Sequence, residues 1–316
     1  MVPTKLGKLF WIIATAIACG MSPVRATVLV SQFTGGGVVD YSSAGSLLST
    51  LVSSGSGGLS LPHRSRIALD GTLLVASAGT DRILQYHATS GAYLGEFIGV
   101  GGGLDYPVDM VFRPDGYVYV SSQLTDEVLR FSASTGVRDA GWSASSGLLD
   151  GPSGIAFDAS GNLYVSGRFS NNVLRFSSNG TFSANLGTVS SAFGMTFHPD
   201  GSLLVSSGAG SVQRFTTPSG TPSQATWASG LNVPVGIEAA GDGTFLVAQF
   251  GANTITRFSS NGTSLGTFAS GSPLNGPNFI TVVPEPSTLF GVLVAGLLFL
   301  VIRSTRESRK GAKTTG

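Results

Sequence analysis

Apolar and polar positions alternate along most of the chain, and the alternation comes back in blocks. One block, IAFDASGNLYVSGRFSNNVLRFSSNG, begins at Ile155. Leu163 and Val165 are two apart, as are Leu174 and Phe176, so each pair falls on one face of a strand. The block returns as IALDGTLLVASAGTDRILQYHATSG from Ile67, MVFRPDGYVYVSSQLTDEVLRFSASTG from Met110, MTFHPDGSLLVSSGAGSVQRFTTPSG from Met195 and IEAAGDGTFLVAQFGANTITRFSSNG from Ile237. Turn glycines stand at Gly71, Gly116, Gly161, Gly201 and Gly243, at steps of 45, 45, 40 and 42 residues. Four residues after each comes a valine: Val75, Val120, Val165, Val205 and Val247. An aromatic follows 10 or 11 residues later: Tyr86, Phe131, Phe176, Phe215 and Phe258. A second turn glycine follows in each unit: Gly91, Gly136, Gly180, Gly220 and Gly262. Each unit predicts strand, turn, strand, loop, strand, turn, strand. Four strands in 40 to 45 residues are the signature of a propeller blade.

The two ends supply a sixth unit. TVLVSQFTGGGVVDYSSAGSLLSTLV, from Thr27, matches the last three strands of a blade, with Val30 and Tyr41 at the valine and aromatic positions. The missing first strand is PNFITVV, residues 277–283, which aligns with PSGIAF at Pro152 and PVGIEA at Pro234. The predicted fold is an all-β, six-bladed propeller over residues 27–283. Its sixth blade is closed by strand 277–283 pairing with the N-terminal strands of residues 27–52. Closure removes free strand edges, which invite aggregation. Asn179-Gly180 and Asn261-Gly262 suit tight hairpin turns. With Thr181 and Thr263 they also match the N-glycosylation pattern; the turn reading is preferred.

The units P-x-G-I-x-F, G-x-L-Y-V-S and V-L-R-F-S-x-x-G resemble the NHL-type repeats of six-bladed propellers. The resemblance covers residues 27–283 and is nearly silent on chemistry, because one fold hosts many functions. Six-bladed relatives include lactonases, strictosidine-synthase-like proteins and streptogramin lyases. They imply a site at the channel mouth, built from the loops before each innermost strand or between second and third strands.

Outside the repeats lie two segments of another kind. Residues 1–26 have a basic start at Lys5 and Lys8, an apolar core from Leu9 to Ala18 and a small-x-small site ending at Ala26. They predict a helical secretory signal peptide cleaved between Ala26 and Thr27. A retained membrane anchor and a lipidated Cys19 are the weaker alternatives. At the other end, Pro284-Glu285-Pro286 precedes an apolar segment, with a transmembrane helix expected over 288–302. Arg303, Arg306, Arg309 and Lys310 follow, and positive charge favours the cytoplasmic side. Residues 311–316 read as a disordered tail. Motif, span and basic cluster, residues 284–310, resemble the PEP-CTERM sorting signal of Gram-negative bacteria. That resemblance implies recognition by exosortase and removal of the tail, often alongside exopolysaccharide production. It also implies an inner-membrane intermediate, then release or attachment at the cell surface. A plain C-terminal anchor is the other reading.

Composition agrees with a turn-rich β protein. Glycine is 45 of 316 residues, about twice the usual share. Only 11% of residues are charged, and the net charge is +1, so the body lacks the basic patch that nucleic acid requires. Cys19 is the only cysteine, so a chain cut after Ala26 has no disulfide and depends on its own core.

Chemistry-bearing residues do not converge in the sequence pattern. His63, His87 and His198 fall in different parts of the blade unit, and His63 is expected to be a solvated loop residue. Asp109 replaces the innermost-strand glycine of other units and is expected to face the channel. Glu238 is expected on the opposite strand face, which leaves no convergent oxygens for a hard cation. No metal, cofactor or catalytic residue is assigned. Asp70, Asp115, Asp158, Asp200 and Asp242 beside the turn glycines read as turn caps. Arg130, Arg175, Arg214 and Arg257 read as packed stems with charges at the blade edge. The second-to-third-strand loops vary and carry neutral hydrogen-bonding groups. Gln123, Asp126, Arg168, Asn171, Gln249 and Asn253, together with Asp109, are the candidate ligand-facing residues, and such groups suit a glycan or exopolysaccharide. The expected function is non-catalytic binding or scaffolding in the extracellular matrix. Signal peptidase and exosortase are the processing partners. The alternative is a lactonase- or lyase-like enzyme.

Overall fold

The computed structural model describes residues 26–216 and 218–284. The signal peptide, Glu285, Pro286, the expected 288–302 helix and the basic cluster lie outside the described residues. Within residues 28–283, one compact unit, the chain forms six four-stranded sheets. The innermost strands are Pro62–Ile67, Pro107–Phe112, Pro152–Phe157, Ala192–Phe197, Pro234–Ala239 and Pro277–Val283. Each touches the next around a closed ring, and the last touches the first. The architecture is the predicted all-β, six-bladed propeller. No helix among the described residues is long and apolar enough to cross a membrane.

The sixth blade is composite, as predicted. Its strand order is Pro277–Val283, Thr27–Gln32, Val38–Ser42, Leu47–Val52. Alternation along Thr27–Gln32 explains how this blade closes the ring. Val28 and Val30 face the fifth blade and pack with Leu246, Ala248 and Ile255. Leu29 faces the other way and joins Val38 and Val52 against Leu73, Val75 and Tyr86 of the first blade. All five repeat valines and all five repeat aromatics are buried, so these positions form the apolar layers between blades.

The turn acids behave as predicted. Asp70 accepts the Thr72 amide at 3.0 Å, Asp115 that of Tyr117 at 3.1 Å and Asp200 that of Ser202 at 3.0 Å. The repeated arginines serve blade edges: Arg130 pairs with Asp139 and lies over Tyr117, and Arg257 pairs with Asp242 and lies over Phe268. At the Asn-Gly turns only the glycines, Gly180 and Gly262, have positive φ, of 86° and 84°. Each Asn side chain instead accepts the amide two residues on, at 3.1 Å for Thr181 and 3.2 Å for Thr263.

Candidate functional site: a plugged channel and its aromatic mouth

Two residues into each innermost strand the chain presents Arg64, Asp109, Gly154, Gly194, Gly236 and Phe279. The three glycines bring backbones together: a Cβ on Gly154 would lie 2.5 Å from the Phe193 carbonyl oxygen, and one on Gly236 would lie 2.4 Å from that of Asn278. The opposite half of the ring carries large side chains. Arg64 is 1% exposed and reaches across the channel. Its Nε donates to Asp109 Oδ1 at 2.6 Å, and Nη1 donates to Glu238 Oε2 at 2.9 Å and to the Ile280 carbonyl at 2.6 Å. Its guanidinium sits 4.4 Å from the Phe279 ring centroid. Burial pulls the Arg64 pKa down, but the Asp109 and Glu238 carboxylates more than offset this, and it is raised. Asp109 also accepts the amides of Met110 at 2.8 Å and Ile155 at 3.1 Å. The channel is therefore closed by a compensated ion network.

This arrangement corrects one expectation. Glu238 does not point away from the Asp109 face. Asp109 is two residues, and Glu238 four, past the first residue of its innermost strand. An even difference keeps both on one strand face, and the two acids converge on Arg64. Arg66 adds a second cation to Glu238 at 3.2 Å.

Above the plug lies the mouth. A cavity of about 120 Å³ is lined by Phe33, His63, Arg168, Phe193, Val233, Val235, Phe250 and Asn278. Phe33, Arg168 and Phe250 come from the connections after second strands, and the others from the starts of innermost strands or just before them. Val108, Phe193, Val235 and Phe279 form a buried apolar cluster beneath it, with Tyr106 and Phe250 against its side. Arg168 lies over Phe193, 4.7 Å from the ring centroid, and burial lowers its pKa.

His63 is not a solvated loop residue. It is 4% exposed, packed edge-on to Phe33 and Tyr106, with Nδ1 2.7 Å from Asn278 Nδ2. Burial first, and then the nearby Arg168 charge, push its pKa down to about 3. The folded pKa lies below the ordinary 6.5, so the unfolded chain takes the proton first as pH falls. The stability that His63 contributes is complete above about 6.5 and is lost as pH falls towards 3. The free energy of unfolding is expected to drop between pH 6.5 and 4.5, with a slope approaching about 1.4 kcal/mol per pH unit from this one group. His63→Gln is expected to flatten that window. Chemical denaturation at a series of pH values checks it, and an unchanged slope in the variant refutes it.

The structure brings only some of the candidate residues to the mouth. Arg168 lines it, and Asp109 lies in the plug below, fully buried. Gln123 is 3% exposed. Asp126, Asn171 and Asn253 sit at positive φ, and their side chains reach the next blade. Asp126 Oδ1 accepts the Gly151 amide at 2.8 Å, Asn171 Oδ1 that of Ser191 at 2.6 Å and Asn253 Oδ1 that of Gly276 at 2.7 Å. Asp81 does the same for Tyr106 at 2.8 Å. Each recipient is itself at positive φ, just before an innermost strand. These four residues join one blade to the next. Gln249 is similarly engaged, accepting the Asn232 amide at 2.8 Å and donating to Thr256 at 2.7 Å. A wider, open groove of about 510 Å³ lies off the axis, between the fifth and sixth blades. Its Gln32 and Asn253 are spent on the Asn275 and Gly276 amides.

Arg64, Phe33, Phe193, Phe250 and Asn278 were not singled out from the sequence. Aligning innermost strands by their first residue would have exposed Arg64, because it stands where three other blades have glycine.

Solved structures with this fold include a nidogen/laminin complex, with a TM-score of 0.69 and 14% identity over 81% of this chain and 98% of that one. A streptogramin B lyase matches with a TM-score of 0.57 and 17% identity, over 81% of this chain and 77% of that chain. Virginiamycin B lyase from Staphylococcus aureus matches with a TM-score of 0.59 and 16% identity, over 82% and 85%. At these identities the likeness shows the fold alone. The class is thus a six-bladed β-propeller whose distant neighbours include binding and lyase proteins. No family model matches the chain, and no curated protein matches it in sequence.

Proposed function

We propose that the protein is exported and sorted to the cell surface, where the propeller is a non-catalytic binding or scaffold module of the extracellular matrix. The observation that carries the non-catalytic reading is the Arg64 clamp. Both acids of the channel, Asp109 and Glu238, are neutralised by arginine within the fold. A general base works best with a pKa near the operating pH, and His63 is held at about 3. What remains at the mouth is a small aromatic cup, suited to holding a group. Export and sorting rest on the N-terminal leader pattern and on Pro284-Glu285-Pro286, the apolar segment and the basic cluster. Phe33 donates its amide to the Gly276 carbonyl at 2.9 Å, so Thr27 and Val283 end on the face opposite the mouth. A tether beyond Val283 leaves the mouth facing outward.

The alternative, a lyase- or lactonase-like enzyme, is favoured by the neighbouring lyase folds and by His63 at the mouth. One preparation tests both parts. Fractionation of an exosortase-bearing Gram-negative host should find chains lacking residues 1–26 and the basic cluster at the surface or in the medium. The same material should show no turnover of a lactone and cyclic-ester panel. Intact chain confined to the cytoplasm overturns the sorting. Turnover abolished by His63→Ala overturns the non-catalytic reading.

A further inference from the structure

The cup at the mouth combines an apolar aromatic wall with the guanidinium of Arg168. Phe33, Phe193, Phe250 and Val235 supply its apolar wall. Its 120 Å³ is close to the roughly 150 Å³ of a cavity that admits one benzene ring. Three polar side chains share this wall with working atoms unspent. Arg168 has no ion-pair partner among the described residues, and its guanidinium lies against the Phe193 and Phe169 rings. His63 Nε2 is buried without a partner. Asn278 Nδ2 donates to His63 Nδ1, so the neutral ring carries its proton on Nε2, which becomes a donor. Asn278 Oδ1, an acceptor in the same wall, is also buried and unpartnered. The half-buried cation calls for an anionic oxygen, and the buried N–H donor beside it for an acceptor. An unpaired guanidinium loses hydration without compensation, and a carboxylate restores it through the bidentate geometry that arginine favours.

We propose that the channel mouth binds a small carboxylate carried on a compact apolar body, an aryl or short branched acid, free or as the end group of a larger molecule. The carboxylate meets Arg168 and takes a hydrogen bond from His63 Nε2–H. The apolar body fills the cup against Phe33, Phe193 and Phe250. This inference rests on the binding reading above and names its ligand class.

Titration calorimetry on the full chain in non-ionic detergent, with micelle blanks, tests it. The probes are benzoate, phenylacetate, and benzamide as the neutral isostere of benzoate. Benzoate or phenylacetate is expected to bind saturably with a Kd of millimolar order, as for fragments of this size, and at least tenfold tighter than benzamide. Arg168→Gln is expected to weaken the acids about tenfold or more and to leave benzamide unchanged, and Arg168→Lys to recover part of the loss. Thermal unfolding confirms that both variants are folded. Benzamide binding as tightly as benzoate, with loss of both on Phe193→Ala, overturns the anion inference and leaves the binding reading standing. Saturable binding of none of the three overturns the inference. Chemical conversion of a probe overturns the non-catalytic reading instead.

Discussion

Replacing Arg64 by methionine is expected to cost about 3–5 kcal/mol, the usual effect of removing one partner from a buried charge network. Asp109 is fully buried and loses the donor at 2.6 Å, keeping only the Met110 and Ile155 amides. Glu238 is partly exposed and keeps Arg66, so most of the loss falls on Asp109. At roughly 2–4 °C per kcal/mol for a domain of this size, Tm should fall by about 10 °C. The double variant Arg64→Met, Asp109→Asn should recover a measurable part, because asparagine removes the stranded charge and retains an acceptor for one amide. Denaturant titration of the three proteins checks this. A loss below about 1 kcal/mol in Arg64→Met would mean that the plug is not a desolvated network.

Deleting residues 277–283 should have a larger effect still. The deletion removes Phe279 and Ile280, both fully buried, and the carbonyl that Arg64 uses. It strips Thr27–Gln32 of its inner partner and opens the ring on both sides of the composite blade. The exposed edge would be a hydrophobic strand, a standard route to association. The expected product is insoluble or aggregated on size exclusion. A soluble, monomeric truncation with unchanged Tm would show that the blade closes by other means.

The legible parts of this protein are those that repeat. Val75, Val120, Val165, Val205 and Val247 recur because every blade must present the same apolar layer to the next, and a period of two marks the buried face of each strand. The split sixth blade was legible for the same reason, since residues 27–52 and 277–283 complete one unit. The turn acids were legible because an Asp capping a turn bonds only within a few residues of itself.

The site is made where the blades differ, and there position along the chain says little. Asp126, Asn171 and Asn253 look like free polar loop residues, but each is spent on an amide 20 to 25 residues further on, which only blade stacking brings near. Glu238 and Asp109 share a strand parity that the repeat does encode. That they meet on one arginine depends on Arg64 crossing the channel, a contact spanning 174 residues to Glu238.

The sequence by itself therefore determined the blade count, the closing strand, the apolar layers and the turn chemistry, because these are local and periodic. Only the tertiary structure decided that the channel is plugged, that His63 is dry and that three phenylalanines gather beside Arg168. Those facts arise where non-equivalent residues from six distant strands meet around one channel, and no period along the chain records which of them will touch.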